Sequence, residues 1–249
     1  MTERSEQVGF SQRVRLEWLE LAAAHAMAGS NAEEITGVIR EALREKVSVG
    51  RDAERGNREK VITIVRRTWF PNEDEHQDLR ERGLSLLRGL PKERRVIVHW
   101  GMVMAVYPFW NAVADAVGRL LRLQGSLGIA QAQRRLRERY GERETVARSA
   151  RRVIRSFVDW SVLAEGEKSG TYQPGAVIDV DRVDMIAWLV EASLRCMPDK
   201  RLALSAITTS PGLFPFKVAP ISCDQLLVRA PKIDVMRHGL DQDLLMLKR

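Results

Sequence analysis

Apolar side chains recur at three- and four-residue spacing along most of the first 160 residues, the period of helices with one buried face. Val14, Trp18, Leu21 and Ala22 share a side over 10–28, and Gly29 is a natural stop. Asn31-x-x-Glu34 has the form of a capping box, and Ile35, Ile39, Ala42 and Leu43 follow on one side. Residues 48–57, SVGRDAERGN, read as a polar linker. Asn57 then stands as a cap before Val61, Ile62, Val65 and Trp69, in a helix that ends ahead of Pro71. Two more helices are expected, over 74–88 and from Pro91 to about residue 107. Past Pro108, Phe109, Val113, Ala116, Val117, Leu120 and Leu121 form a stripe through 110–123 that Gln124-Gly125 closes. A helix over 129–140 buries Ile129, Ala132, Leu136 and Tyr140. The turn GERE at 141–144 leads into a further helix over 145–159.

The period then changes. Residues 160–164 (WSVLA) and 171–173 (TYQ) are extended in type, and the glycine-containing EGEKSG joins them, which predicts a β-hairpin with a long loop. A helix over about 182–196 follows, with Val183, Ile186, Val190 and Leu194 inward and Asp181 as its expected cap. SPGLFPFKVAP at 210–220 holds three prolines and reads as an irregular link. Its LFPF segment suits either packing or an interaction surface. Apolar runs at 224–229, 233–236 and 244–247 complete the chain, with a small hairpin expected around His238-Gly239-Leu240-Asp241. No internal repeat shows at a fixed period.

The order helix, helix, tight turn, helix, hairpin over 110–174 resembles the winged helix-turn-helix superfamily. The likeness is carried by GERE at 141–144, by TVARSARRVIRSFVDW, and by VLAEGEKSGTYQPG. It covers about a quarter of the chain. With the helical pattern before it and the mixed pattern after it, the expected fold is mainly α: a helical N-terminal region (1–95), a central winged helix-turn-helix with a β-hairpin wing and a preceding core helix (96–180), and a small α+β C-terminal region (181–249). The resemblance also implies that the helix over 145–159 enters the major groove of double-stranded DNA, with the hairpin near the backbone.

The periodicity of that helix points the same way without the family. Val146, Ala150, Val153, Ile154 and Phe157 cluster on one side, and Arg148, Arg151, Arg152 and Arg155 on the other. Thr145 and Ser149 flank the arginines near the N-terminal end, where short hydroxyls reach phosphate oxygens or base edges. Arg143, just before the helix, and Lys168, in the hairpin loop, complete the candidate DNA-binding set.

Charge localises this signal. The chain carries +7 with a pI near 9.8. Residues 130–157 hold nine arginines against three glutamates and so contribute +6 of it. Arginine codon bias would have spread the excess. Arg134, Arg135, Arg137 and Arg139 point several ways around their helix and are assigned mainly to solvation.

Other chemistry finds little support. Two cysteines, Cys196 and Cys223, and four scattered histidines offer no metal-ligand spacing, and no nucleotide-loop or hydrolase motif occurs. Asp179, Asp181, Asp184 and Glu191 are the acids a metal-dependent nuclease would use, and are a distant alternative. His99 reads as a core histidine. Residues 96–114 approach the length of a membrane span, but Pro108 breaks them and His99 and Asn111 lie within, so two buried core helices are expected. The N-terminus shows no signal peptide. The expectation is a non-catalytic cytoplasmic protein without cofactor or membrane contact. It would bind double-stranded DNA as a regulator, or as an accessory subunit of a DNA-processing or phage-defence assembly. The alternative is a protein–protein adaptor whose partners are other subunits or itself.

Overall fold

A computed structural model describes residues 8–48, 56–71, 76–197, 200–238 and 242–248. It is mainly helical. The N-terminal region comprises α1 (Leu16–Met27), α2 (Ala32–Ala42), α3 (Asn57–Trp69) and α4 (Gln77–Arg88). Asn31 caps α2 as the pattern predicts: its side chain accepts from the amides of Glu33 and Glu34, and the Glu34 carboxylate accepts from the Asn31 amide. Asn57 does not cap α3. Gly56 takes that place, and the Asn57 side-chain oxygen instead accepts from Gln12 Nε2 at 2.9 Å.

The first helix is also shorter than its pattern. Residues 8–15 form an irregular arm ahead of α1, and partners outside the segment satisfy part of its backbone. The Val14 amide donates to Ser156 Oγ (2.9 Å), and the Val14 carbonyl accepts from Trp160 Nε1 (3.0 Å). Phe10 is fully buried against Tyr107 and Trp110.

A 3-10 turn (Lys92–Arg94) leads into α5 (Val96–Val106), in which every residue is buried. A helix that is apolar all round sits at the centre of a fold. α5 packs on α1, α3 and α4 and on the two helices that follow, α6 (Pro108–Gln124) and, further along, α9 (Val183–Arg195). The chain bends by 118° between the helical stretches either side of Tyr107. Among the described residues no single helix is long and apolar enough to cross a membrane. Gly101 lets α9 approach: a side chain there would overlap the Trp188 ring. Trp100 forms the hub of the core, with ring contacts to Trp110, Phe157, Trp160, Phe214 and Phe216.

The unit carrying the arginines is α6, β1 (Leu127–Gly128), α7 (Ile129–Tyr140), α8 (Glu144–Asp159), β2 (Leu163–Glu165) and β3 (Thr171–Pro174). Its strands make an antiparallel sheet in the order β1-β3-β2, with Leu127 opposite Tyr172 and Ala164 opposite Gln173.

The same arrangement then recurs. After β4 (Ile178–Val180), α9 leads to β5 (Leu202–Ala203), α10 (Leu204–Thr208), α11 (Cys223–Arg229), β7 (Ile233–His238) and β8 (Gln242–Leu247). The strand order is β5-β8-β7, again first, third, second, and again antiparallel. The strands of the expected C-terminal hairpin are therefore present, while residues 239–241 at its turn lie outside the described residues.

The second unit differs by an insertion of residues 209–222 between its second and third helices. Read from sequence as an irregular link, this stretch contains a 3-10 turn (Pro211–Leu213) on α6 and a strand, β6 (Phe216–Val218), parallel to β4. The turn lies so close to α6 that a methyl at Gly118 would overlap the Pro211 carbonyl. LFPF is thus a packing element: Leu213 and Phe216 are buried, and the Phe214 ring lies 5.6 Å from those of Trp100 and Phe157.

Candidate nucleic-acid interface

α8 is helical because nothing between Glu144 and Asp159 breaks it and one face is continuously apolar. Val146, Ala150, Val153, Ile154 and Phe157 are wholly buried, as the period requires. Gly141, at φ +87°, turns the chain out of α7, and Arg143 donates from Nη2 to the Tyr140 carbonyl (3.0 Å), satisfying a terminal acceptor of α7. Arg143 is exposed but partly committed.

The arginine face of α8 divides into three. Arg148, Arg151 and Arg155 are exposed together with Thr145. Arg152, one turn from Arg148, is half-buried and turned sideways, its guanidinium donating to the Ser11 carbonyl of the N-terminal arm. Burial pushes its pKa down, and neighbouring Arg148 adds to this; a guanidinium still stays charged. Ser149 is 5% exposed and lies in the core, so it is removed from the DNA-contacting set. The hydroxyl belongs to the packed side because it sits one residue from Ala150 and three from Val146 on the helical wheel.

The helix also starts one residue earlier than expected, at Glu144. An acid therefore stands in the first turn, 3.9 Å from Arg148. It opposes a phosphate directly on the helix end. At the other end, Asp159 is taken by a bidentate contact from Arg13, which holds the Arg13 pKa up against burial.

The β2–β3 loop faces α8. It is pinned by its own backbone: the Gly166 amide donates to the Thr171 carbonyl (2.9 Å), and Thr171 donates to the Lys168 carbonyl through both its amide (3.0 Å) and its hydroxyl (2.5 Å). Gly170, at φ +77°, makes the turn, and its carbonyl accepts from the Ile129 amide at the start of α7 (2.9 Å). Loop and helix enclose an open cleft of about 410 Å³ lined by Arg151, Arg155, Lys168 and Glu165 with Thr171 and Tyr172. Among the described residues, the side chains of Arg151, Arg155 and Lys168 have no hydrogen-bond or ion-pair partner. This cleft was not legible in the sequence. The only signal for Glu165 and Thr171 was their position on either side of the two loop glycines.

On α7, the arginines are largely spent locally. Arg134 lies 3.7 Å from Glu138 and Arg137 lies 3.9 Å from Glu142, while Arg139 sits over the Tyr140 ring. The acids outside the unit are likewise structural. Glu191 is fully buried between Arg82 (2.7 Å) and Arg195 (2.6 Å). Asp181 accepts from Arg94 rather than capping α9, and Asp184 pairs with Arg182 while accepting from the Met185 amide. Among the described residues no three His, Cys, Asp or Glu side chains gather as metal ligands would.

His99 is fully buried with Nε2 3.1 Å from Glu20 Oε1. Burial drives its pKa below the ordinary value and Glu20 only partly opposes this, so it is neutral at neutral pH. Burial pushes Glu20 upward, but His99 and Arg95 outweigh it and hold the carboxyl below its usual range. With His99 neutral, Arg95, 3.2 Å away, supplies the charge that keeps Glu20 ionised.

No family model, no curated protein and no solved structure matches this chain.

Proposed function

We propose that the chain is a non-catalytic, winged-helix binder of double-stranded DNA, acting as a regulator or as an accessory subunit of a DNA-processing or phage-defence assembly. α8 is its major-groove helix, and the β2–β3 hairpin is its wing. The observation that carries this is the row of exposed cations on α8: Arg148 is exposed, Arg151 and Arg155 line a cleft with Lys168, and none has an acid partner closer than the 3.9 Å contact of Arg148 with Glu144. A surface with this excess of cations, opposed only by Glu144 and Glu165, is the electrostatic footprint of a polyanion-binding site. The order α6-β1-α7-α8-β2-β3 with sheet order β1-β3-β2 supports the same assignment. The test is binding of a short duplex at low salt. Binding is expected, and Arg148→Glu with Arg151→Glu should abolish it. Undiminished affinity in that variant, or no binding by the wild type, defeats the proposal.

One observation favours a protein contact elsewhere on the molecule. In the second unit, α11 occupies the place of α8, but it presents Leu227 (37% exposed) and Val228 (79%) beside a single exposed arginine, Arg229. DNA has no use for an apolar ridge at that position, whereas a protein partner does. A stoichiometric partner that survives nuclease treatment and is lost in Leu227→Asp with Val228→Asp would support the adaptor role. Such a variant should keep its affinity for duplex.

A further inference from the structure

The geometry points to the cleft between α8 and the β2–β3 loop as a seat for one phosphodiester of the DNA backbone, with Glu165 as a built-in brake on its occupancy. This deepens the DNA-binding proposal and rests on it. Three cations from two separate elements, Arg151 and Arg155 on α8 and Lys168 on the loop, line one concave site, and none has a side-chain partner among the described residues. Like charges do not gather unpartnered in a cleft without cost, and a phosphate relieves all three at once. The lining is mainly polar backbone and short side chains, Gly166, Ser169, Gly170 and Thr171, and Tyr172 is buried, so the site offers no exposed aromatic face for a base to stack on.

The seat is preorganised on its loop side. Lys168 stands on a backbone carbonyl that accepts two hydrogen bonds from Thr171, and the Ile129 amide ties the same loop to α7. A loop backbone held in place in advance leaves less chain to order when the anion arrives. Glu165 opposes all this: it lines the same cleft, and its negative charge, which also acts on Arg13, repels an anion entering there. A lone phosphate must overcome that repulsion by itself. A duplex brings neighbouring phosphates to Arg148 and the rest of α8, so the cleft fills only as part of a longer contact. The brake therefore selects a polymeric backbone over free phosphate.

Equilibrium binding of a duplex of about twenty base pairs as a function of salt tests this, with Arg151→Ala/Arg155→Ala, Lys168→Ala, their combination, Glu165→Gln and Thr171→Val. Each phosphate neutralised contributes about 0.9 to the slope of log affinity against log salt. Lys168→Ala and the arginine pair should each weaken binding, and their combination, which leaves the shared phosphate without a cation, should flatten the slope by that full amount. Their combination should cost less than the product of the separate losses, because they share one phosphate. Glu165→Gln should tighten binding about threefold, the effect of removing one like charge at a few ångströms in solvated surroundings. It should also give measurable affinity for inorganic phosphate where the wild type has little. Thr171→Val should weaken binding with Lys168 intact. Losses that multiply independently, or a Glu165→Gln variant that binds no tighter, overturn the shared seat. If the wild type binds duplex and Arg148→Ala weakens it while the cleft variants do not, the seat is wrong and the DNA proposal stands. If the wild type does not bind duplex, both fall.

Discussion

Arg148 and Arg152 lie one helical turn apart, yet they should answer opposite experiments. Arg148 is exposed, whereas the guanidinium of Arg152 is held by the Ser11 carbonyl. On the proposed DNA contact, Arg148 neutralises one phosphate and Arg151, Arg155 and Lys168 together neutralise a second, so the slope of log affinity against log salt is about −1.8. Raising salt from about 50 to about 200 mM then weakens duplex binding about 12-fold. Arg148→Ala removes one neutralised phosphate, which brings the slope to about −0.9 and the same salt step to about 3.5-fold. Arg152→Ala should leave the slope at the wild-type value. Its loss falls on stability: a charge-assisted hydrogen bond is worth about 1.5–3 kcal/mol when buried, and at a half-exposed guanidinium about 1 kcal/mol remains. For a chain of this size that lowers the melting temperature by roughly 2–4 °C. Fluorescence anisotropy on a labelled duplex at several salt concentrations, with thermal unfolding of the same samples, measures both. Equal flattening of the slope by the two variants would refute the division of the arginine face by the N-terminal arm.

Three further outcomes follow from the packing. Gly118→Ala forces a methyl into the Pro211 carbonyl and should destabilise by about 1–3 kcal/mol, read as a shift of the denaturant midpoint; an unchanged midpoint would contradict the close approach of that turn to α6. Glu191→Ala strands Arg195 beside an emptied buried site, while Arg82 keeps Asp78 (2.8 Å), and should cost about 3 kcal/mol, with Glu191→Gln recovering part of it in the same assay; a change within about 0.5 kcal/mol would count against the buried triad. The pH dependence has a defined sign. His99 titrates below 6.5 in the folded chain and takes up a proton on unfolding, so its contribution is complete above that pH and is lost as pH falls toward the folded value, by up to about 1.4 kcal/mol per pH unit. Melting temperatures at pH 7 and pH 5 should differ more for the wild type than for His99→Gln, and equal differences would exclude His99 as the titrating group.

Helix periodicity carried most of the helical layout. The apolar face of α8 and the break at Pro108 were legible because one helix face and one proline decide them locally. What could not be read is what depends on distant chain. Val14 fits a helical pattern, yet Ser156 and Trp160, more than 140 residues away, hold it in an irregular arm. The same arm removes Arg152 from a face that spacing alone assigned to it. Asp181 looked like a helix cap because Arg94, its actual partner, lies 87 residues earlier. The repeat of α6–β3 in α9–β8 left no fixed period, because the insertion at 209–222 and the short α10 and α11 destroy the spacing while strand order survives. Of the candidate contacts, Arg148, Arg151, Arg155 and Lys168 needed only helix phase and a loop position, while their convergence on a cleft with Glu165 is a property of the folded hairpin.

The insertion between α10 and α11 also governs how this molecule can be taken apart. Although two units of one topology follow each other in sequence, a cut after Val180 would not yield two independent pieces. It would strip Phe214 and Phe216 from the ring of Trp100, uncover Gly118 on α6, and leave β4 without the strand it pairs with. The unit bearing the arginines is completed by residues that come after its own last strand. Loss of the proposed DNA binding on C-terminal truncation would therefore report a collapsed core as readily as a missing contact.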